Sequence, residues 1–162
     1  MKSIKLGASF AALAALAAIS LSLSACGAPS GAAAGAEPGP NSQARSTAFK
    51  KLGGEMKIVS DVIAGKQAFD AEAFKTQAAK LAEAGAEPFN HFEKDTTGSD
   101  GSARPEVWSE PEKFKAAEDQ FKADLDAFVA AANEGDLAKA GPAFGKFAGN
   151  CKSCHEAFKY RT

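Results

Sequence analysis

Near the end of the chain, Phe144, Phe147, Cys151, Cys154 and Phe158 recur at gaps of three and four residues. That spacing lines all five side chains along one face of a helix. Whatever packs against this face must therefore cover two thiols as well as three aromatic rings. The thiols belong to the run Cys151-Lys152-Ser153-Cys154-His155, and C-x-x-C-H is the attachment signature of haem c. Each thiol can add to a haem vinyl group as a thioether. His155, four residues after Cys151, can swing its imidazole under the porphyrin and ligate the iron. Rival chemistries fit less well. A structural zinc takes four protein ligands, and this neighbourhood supplies three. A redox C-x-x-C pair sits at a helix N-terminus in a βαβ setting, and the chain has no strand pattern. The only other cysteine is Cys26 and the only other histidine is His91.

The three-four spacing occurs in three more places. From Arg45 it runs through Phe49, Leu52, Met56, Val59 and Ile63, and Gly65 stands where a helix stop is expected. A second stripe begins at Asp70, a good N-cap, with Phe69 and Phe74 placed as a hydrophobic staple. It passes Ala78 and Leu81 towards Gly85 and resumes through Phe89 and Phe92 after Pro88. The polar stretch from Lys94 to Arg104 reads as an exposed loop. Ser109-Glu110-Pro111-Glu112 reads as a capping box opening a third helix, with Phe114, Ala117, Phe121, Leu125, Phe128 and Ala132 on one face. Gly135 ends it and Asp136 caps the last helix. Pro142 lacks an N–H and clashes with the carbonyl of Ala138. Either that helix kinks there, or it starts with Pro142 at N1. Few large apolar side chains and many alanines leave such a core underfilled unless a large planar group completes it. The expected fold is all-α, an antiparallel four-helix bundle around covalently attached haem c.

Ahead of this domain, Lys2 and Lys5 precede a mostly apolar run from Leu6 to Leu23, closed by Ser24-Ala25-Cys26. Small residues before a cysteine resemble the lipobox of bacterial lipoproteins, in which the signal is cut just before the cysteine. The expectation is a signal peptide over 1–25 and a lipidated Cys26, which holds firmly to a membrane once it carries more than one acyl chain. An ordinary secretory signal with an incidental cysteine, or an uncleaved anchor, are the other readings. Gly27 stands where an Asp would signal retention at the inner membrane. By analogy the protein is expected at the outer membrane, facing the periplasm. Residues 26–43 are rich in Gly, Ala, Pro and Ser, bury too little surface to offset the entropy of ordering, and read as a flexible tether. Residues 44–162 then form one domain by length. A formal net charge of −1 argues against nucleic acid as a partner.

A C-x-x-C-H on the last helix of a four-helix bundle resembles the cytochrome c′ family, and other segments share the resemblance. Ala103-Arg104-Pro105-Glu106-Val107-Trp108 is similar to the family's Arg-Pro-Glu-aliphatic-Trp segment. Asn133-Glu134-Gly135-Asp136-Leu137 is similar to its Gly-Asp turn, and Ala143-Phe144-Gly145 to its helix before the haem site. The resemblance spans about 44–162. It implies one haem c per chain on Cys151 and Cys154 with His155 as axial ligand. It also implies Arg45 near the haem propionates, Lys159 beside the haem, and a homodimer through the first two helices. Phe158 reads as a further haem contact, and Glu106 and Trp108 read as haem-edge packing and loop anchoring. Lys159 departs from the family, where many members carry an arginine; lysine keeps the charge without the planar fork.

The resemblance also implies that the residue facing the iron opposite His155 is four after Arg45, which is Phe49. A phenylalanine has no lone pair, so this reading gives a five-coordinate, high-spin haem with an occluded apolar distal pocket. Its partners would be nitric oxide, whose bond to ferrous iron needs little help, and more weakly carbon monoxide. The role would be nitric oxide sequestration, with no catalytic acid, base or nucleophile evident; turnover of nitric oxide with an electron donor is a separate question. The alternative is a low-spin electron carrier resembling cytochrome c-556, with Met56 as sixth ligand. Met56 lies seven residues, roughly 10 Å, beyond Phe49 along the helix. His91, a third potential ligand, reads as a solvated surface residue. Lys50, Lys51 and Lys57 read as a solvated face that could also dock an acidic redox partner protein.

Overall fold

The computed structural model describes residues 36–161; the expected signal peptide, Cys26 and most of the expected tether lie outside the described residues. Four long helices form the bundle: α1 (Pro40–Ile63), α2 (Ala71–Ala86), α4 (Pro111–Asn133) and α5 (Leu137–Phe158). A 3₁₀ turn (Glu87–His91) extends α2, and a single-turn α3 (Glu106–Ser109) precedes α4. No strand occurs among the described residues beyond two isolated bridges.

Helix boundaries follow local chemistry. Asp70 accepts a hydrogen bond from the Ala73 amide at 2.8 Å, and Phe69 meets Phe74 edge-on at 5.6 Å, so both cap and staple of α2 form. After α1 the Lys66 amide reaches the Asp61 carbonyl and the Gly65 amide the Val62 carbonyl. This is the Schellman pair, and it needs Gly65 at φ 71°. Gly135, at φ 72°, ends α4 in the same conformation, and the Asp136 carboxylate takes the Ala138 amide at 2.8 Å.

Several expectations are corrected. α1 starts at Pro40 rather than near Arg45, so the last part of the expected tether is helical. Ahead of it, Gly39 donates to the Ser99 carbonyl and Ser99 to the Glu37 carbonyl. The Ser109 capping box does not form. Ser109 ends α3, and α4 begins behind Glu110 without a side-chain cap, using Pro111 at its first position. Gly85 lies inside α2 instead of ending it. A Cβ there would stand 2.5 Å from Leu125 Cδ2, so the glycine lets α4 approach closely. α5 runs unbroken through Pro142, five residues past its start, so Pro142 is not its first residue.

The stretch from Lys94 to Arg104 is half-buried for most of its length, not an exposed loop. Asp95 caps α1 from a distance, its two carboxylate oxygens accepting the Asn41 and Ser42 amides at 2.8 and 2.9 Å. At its other end the loop pairs with the chain beyond α5: Arg104 donates to the Phe158 carbonyl and Tyr160 to the Ser102 carbonyl. One strap thus binds the beginning of α1 to the end of α5.

The core is aromatic. All eleven phenylalanines among the described residues belong to one connected set of ring contacts. It runs from Phe69 and Phe74 through Phe128, Phe144, Phe147, Phe121 and Phe89 to Phe92, which touches Phe49 and Phe114, and from Phe114 to Phe158. Such pairs contribute about 0.5–1.5 kcal/mol each beyond the area they bury. Replacing Asp136→Ala removes the cap of α5 and should lower unfolding free energy by about 1 kcal/mol, read as a reduced urea midpoint.

Candidate haem site

α4 packs on α5, α1 on α2, and α2 on α4, but α1 and α5 make almost no direct contact. Between them lies a cavity of about 720 Å³. Its wall is aromatic and aliphatic, with Phe49, Leu52 and Met56 from α1, Phe89 and Phe92, and Phe114, Ala117 and Phe121 from α4. α5 contributes Cys151, Cys154, His155 and Phe158, and the strap contributes Gly101, Ser102 and Ala103. The apolar stripe of α5 is fully buried at Ala140, Phe144 and Phe147, then opens into this space where the thiols begin.

The donors suit haem c. Burial raises both thiols above their ordinary value, and Cys151 adds to the effect on Cys154. They are neutral at pH 7, in a form that neither captures metal nor oxidises readily. Partial desolvation lowers His155, and the Lys159 ammonium pushes it the same way. The imidazole is thereby held neutral, the form that ligates iron. Two thiols and an imidazole on one wall face a cluster of phenylalanine rings, while Arg45, Lys50 and Asn150 add polar groups to the lining; this mixture fits a large planar group with an apolar body and charged edge.

The antiparallel register of α1 and α5 can be counted from their far ends. A Cβ on Gly141 would lie 3.6 Å from Ile63 Cγ2, so these positions are level. Fourteen residues back along α1 from Ile63 is Phe49, and fourteen forward along α5 from Gly141 is His155. With equal rise per residue, Phe49 stands level with His155 across the cavity. Met56, seven residues further on, stands level with Ala148, roughly 10 Å away along the axis.

Comparison with known proteins agrees with this donor set. The family model described as Cytochrome C' matches residues 41–159. The chain belongs to the cytochrome c′ family. It is 35% identical over 124 residues to a cytochrome c′ of Rubrivivax gelatinosus, covering 76% of this chain and 96% of that protein. A cytochrome c-556 of Agrobacterium tumefaciens (strain apple 185) is 30% identical, covering 76% of this chain and 97% of the relative. Among solved structures, a ferrous variant of Alcaligenes xylosoxidans cytochrome c prime with bound NO superposes with a TM-score of 0.71 at 32% identity. That match covers 75% of this chain and 94% of the other. As a member of this family, the protein carries covalently bound haem c in a four-helix bundle.

Within this member of the family, the residues expected at the haem divide. Cys151, Cys154, His155, Phe49, Met56, Phe158 and Lys159 all line the cavity. Trp108 does not line it, and its contacts match the loop anchoring expected of it. Its indole N–H donates to the Phe92 carbonyl at 2.7 Å, and Lys94 lies over its ring, so it anchors the strap. Arg45 lines the cavity but is buried and already engaged. Its guanidinium donates to the His91 and Asp100 carbonyls at 2.7 Å and stands over the Phe92 ring. Burial lowers its pKa while Asp95 and Asp100 hold it up. Lys159 leaves the helix at its C-cap in extended backbone, paired with Ala103. His91 is half-buried beside Glu87 at 3.0 Å, rather than fully solvated, and does not line the cavity.

Sequence reading missed one group. Asp124 on α4 is buried and accepts from Gln120 Nε2, Asn150 Nδ2 and Lys146 Nζ at 2.8, 2.9 and 2.8 Å. Asn150 lines the cavity immediately before Cys151. The signal was a carboxylate among Phe121, Leu125 and Phe128, inside an apolar stripe. The hydrogen bond from Asn150, then those from Lys146 and Gln120, hold Asp124 down to about 2 from 3.8. A lowered carboxyl pKa stabilises the fold above the unfolded value, and that gain is lost as pH falls through the folded one. The urea-midpoint advantage over Asp124→Asn should therefore be full at pH 7 and shrink between pH 3.8 and about 2.

Proposed function

We propose that this cytochrome c′ binds nitric oxide at a five-coordinate, high-spin haem and serves to sequester it. Cys151 and Cys154 would hold the haem, and His155 would supply one axial ligand. Iron held this way offers one open coordination position to a small gas. The observation that most supports the reading is the register count, by which Phe49, a ring without a lone pair, falls level with His155 across the cavity. Phe92, which also lines the cavity, meets Phe49 edge-on at 6.2 Å. The Phe49 ring itself offers no hydrogen bond to bound dioxygen, which develops negative charge. Nitric oxide needs less such help. Carbon monoxide would bind more weakly, since the Phe49 ring must move aside. Structures of variants of the Alcaligenes xylosoxidans protein, one with bound NO and one with carbon monoxide, support both gases as ligands of the family's site.

The rival reading, a c-556-like electron carrier, has one observation in its favour. Met56 lines the same cavity, and a c-556 relative is 30% identical. Optical and EPR spectra of the haem-loaded protein separate the two. The expected result is a high-spin ferric signal, unchanged in Met56→Leu, with nitric oxide taken up by the ferrous form. Phe49→Ala should raise carbon monoxide affinity by at least about tenfold, the cost of displacing a packed ring. A low-spin ferric haem that turns high-spin in Met56→Leu would make the protein an electron carrier. Turnover of nitric oxide is read separately, by whether its loss continues past one equivalent when an electron donor is supplied.

The proposal places this site on a membrane surface through a lipid at Cys26, at the periplasmic face of the outer membrane. The lipobox-like Leu23-Ser24-Ala25-Cys26 supports it. Cys26→Ser should move the haem protein from the membrane to the soluble fraction, as judged by haem staining of both.

A further inference from the structure

The described residues hold two buried carboxylates, Asp61 and Asp124. Asp61 sits near the end of α1 between Lys57 and Lys66 and joins no side chain of the haem cavity. Asp124 is joined to the cavity wall by one hydrogen bond, from Asn150 Nδ2 at 2.9 Å. Its other partners are Gln120, on the next turn of α4, and Lys146 on α5. Only Lys146 carries charge.

The two members of that ion pair are unequally exposed. The Asp124 side chain is 6% exposed and that of Lys146 is 71%. Water screens the ammonium strongly and the carboxylate weakly, because charges act further through a medium of low polarisability. The pair therefore presents a net negative potential to the apolar space on its inner side. That space is where the haem iron changes between net charge states. Ferric iron carries one more positive charge than ferrous, so a fixed negative potential favours it.

We propose that Asp124, oriented by Asn150 and partly offset by Lys146, is a redox-tuning residue that biases the haem iron of this protein towards the ferric state. Because nitric oxide binds the ferrous form strongly, the same residue would limit how much of the protein is in its strongest gas-binding state. The inference rests on the cavity holding haem c, which a haem stain checks independently of any potential.

The test is a spectroelectrochemical titration of the haem-loaded full chain, in which one electron from the electrode, passed by a mediator, reduces ferric to ferrous iron. Wild type, Asp124→Asn and Lys146→Met are compared. Asp124→Asn should raise the midpoint, so that at the wild-type midpoint the ferrous form exceeds the ferric several-fold. Lys146→Met, which uncovers the carboxylate, should move the midpoint the other way. A merely structural loosening of α4 from α5 would shift both variants in one direction, and that result, or no shift in either, overturns the proposal. If Asp124→Asn fails to fold, as judged by far-ultraviolet circular dichroism, Lys146→Met decides alone. Its ammonium lies at the surface, so the fold should tolerate the change. A lowered midpoint supports the proposal, and an unchanged or raised one rejects it.

Discussion

The bundle depends on the mutual packing of its phenylalanine rings. Helix-forming residues here are mostly alanines and charged side chains, which by themselves give little reason for four helices to meet. The rings supply it, because each large apolar side chain removed from water contributes about 1.5–3 kcal/mol. They form a single connected set, so no helix can shift without disturbing the next. The set is dense at the end where Phe128, Phe144 and Phe147 are buried, and it splays around the cavity at the other. The cavity is therefore the place where the aromatic core stops being closed by side chains. This explains why α1 and α5 stay apart there: the surfaces facing each other are already packed sideways, onto Phe92 and Phe114.

Much of this was legible in the sequence, and the parts that were not share a cause. Stripes with three-four spacing located the buried faces, and Asp70, Gly65 and Asp136 marked helix ends, because all of these act over one or two turns. The cysteine pair and His155 were equally plain, since covalent haem attachment demands one local spacing. What escaped were partners far apart in the chain. The cap of α1 is Asp95, fifty-odd residues downstream, so locally only Pro40 at its first position marked where it begins. The Ser109 capping box matched its pattern but lost to α3, whose backbone hydrogen bonds take Ser109 in the preceding turn. Arg45 was assigned to the haem because it matches the family's first-helix arginine, and Trp108 was read as packing at the haem edge and anchoring a loop. The structure shows that loop carbonyls compete for their donors. Asp124 was hidden in a helical stripe, where a carboxylate reads as noise until its three donors are seen.

These long-range bonds also account for the shape of the site. Arg45 and Trp108 pull on the carbonyls of His91, Phe92 and Asp100, and so hold the strap against the cavity mouth. The strap in turn supplies Gly101, Ser102 and Ala103 to the wall. The rim is thus set by polar contacts, while the interior is set by rings. The order of the rim comes from contacts that do not involve the cofactor.

The strap brings the start of the first helix and the end of the last to the same end of the bundle, and that has a bearing on orientation. Ala36, Pro38 and Ser42 all stand beside the cavity or the strap that closes it. Ten residues separate Ala36 from Cys26, a leash of about 35 Å at full stretch. Any attachment made through Cys26 would therefore join the molecule at its haem end, the end opposite the closed aromatic core.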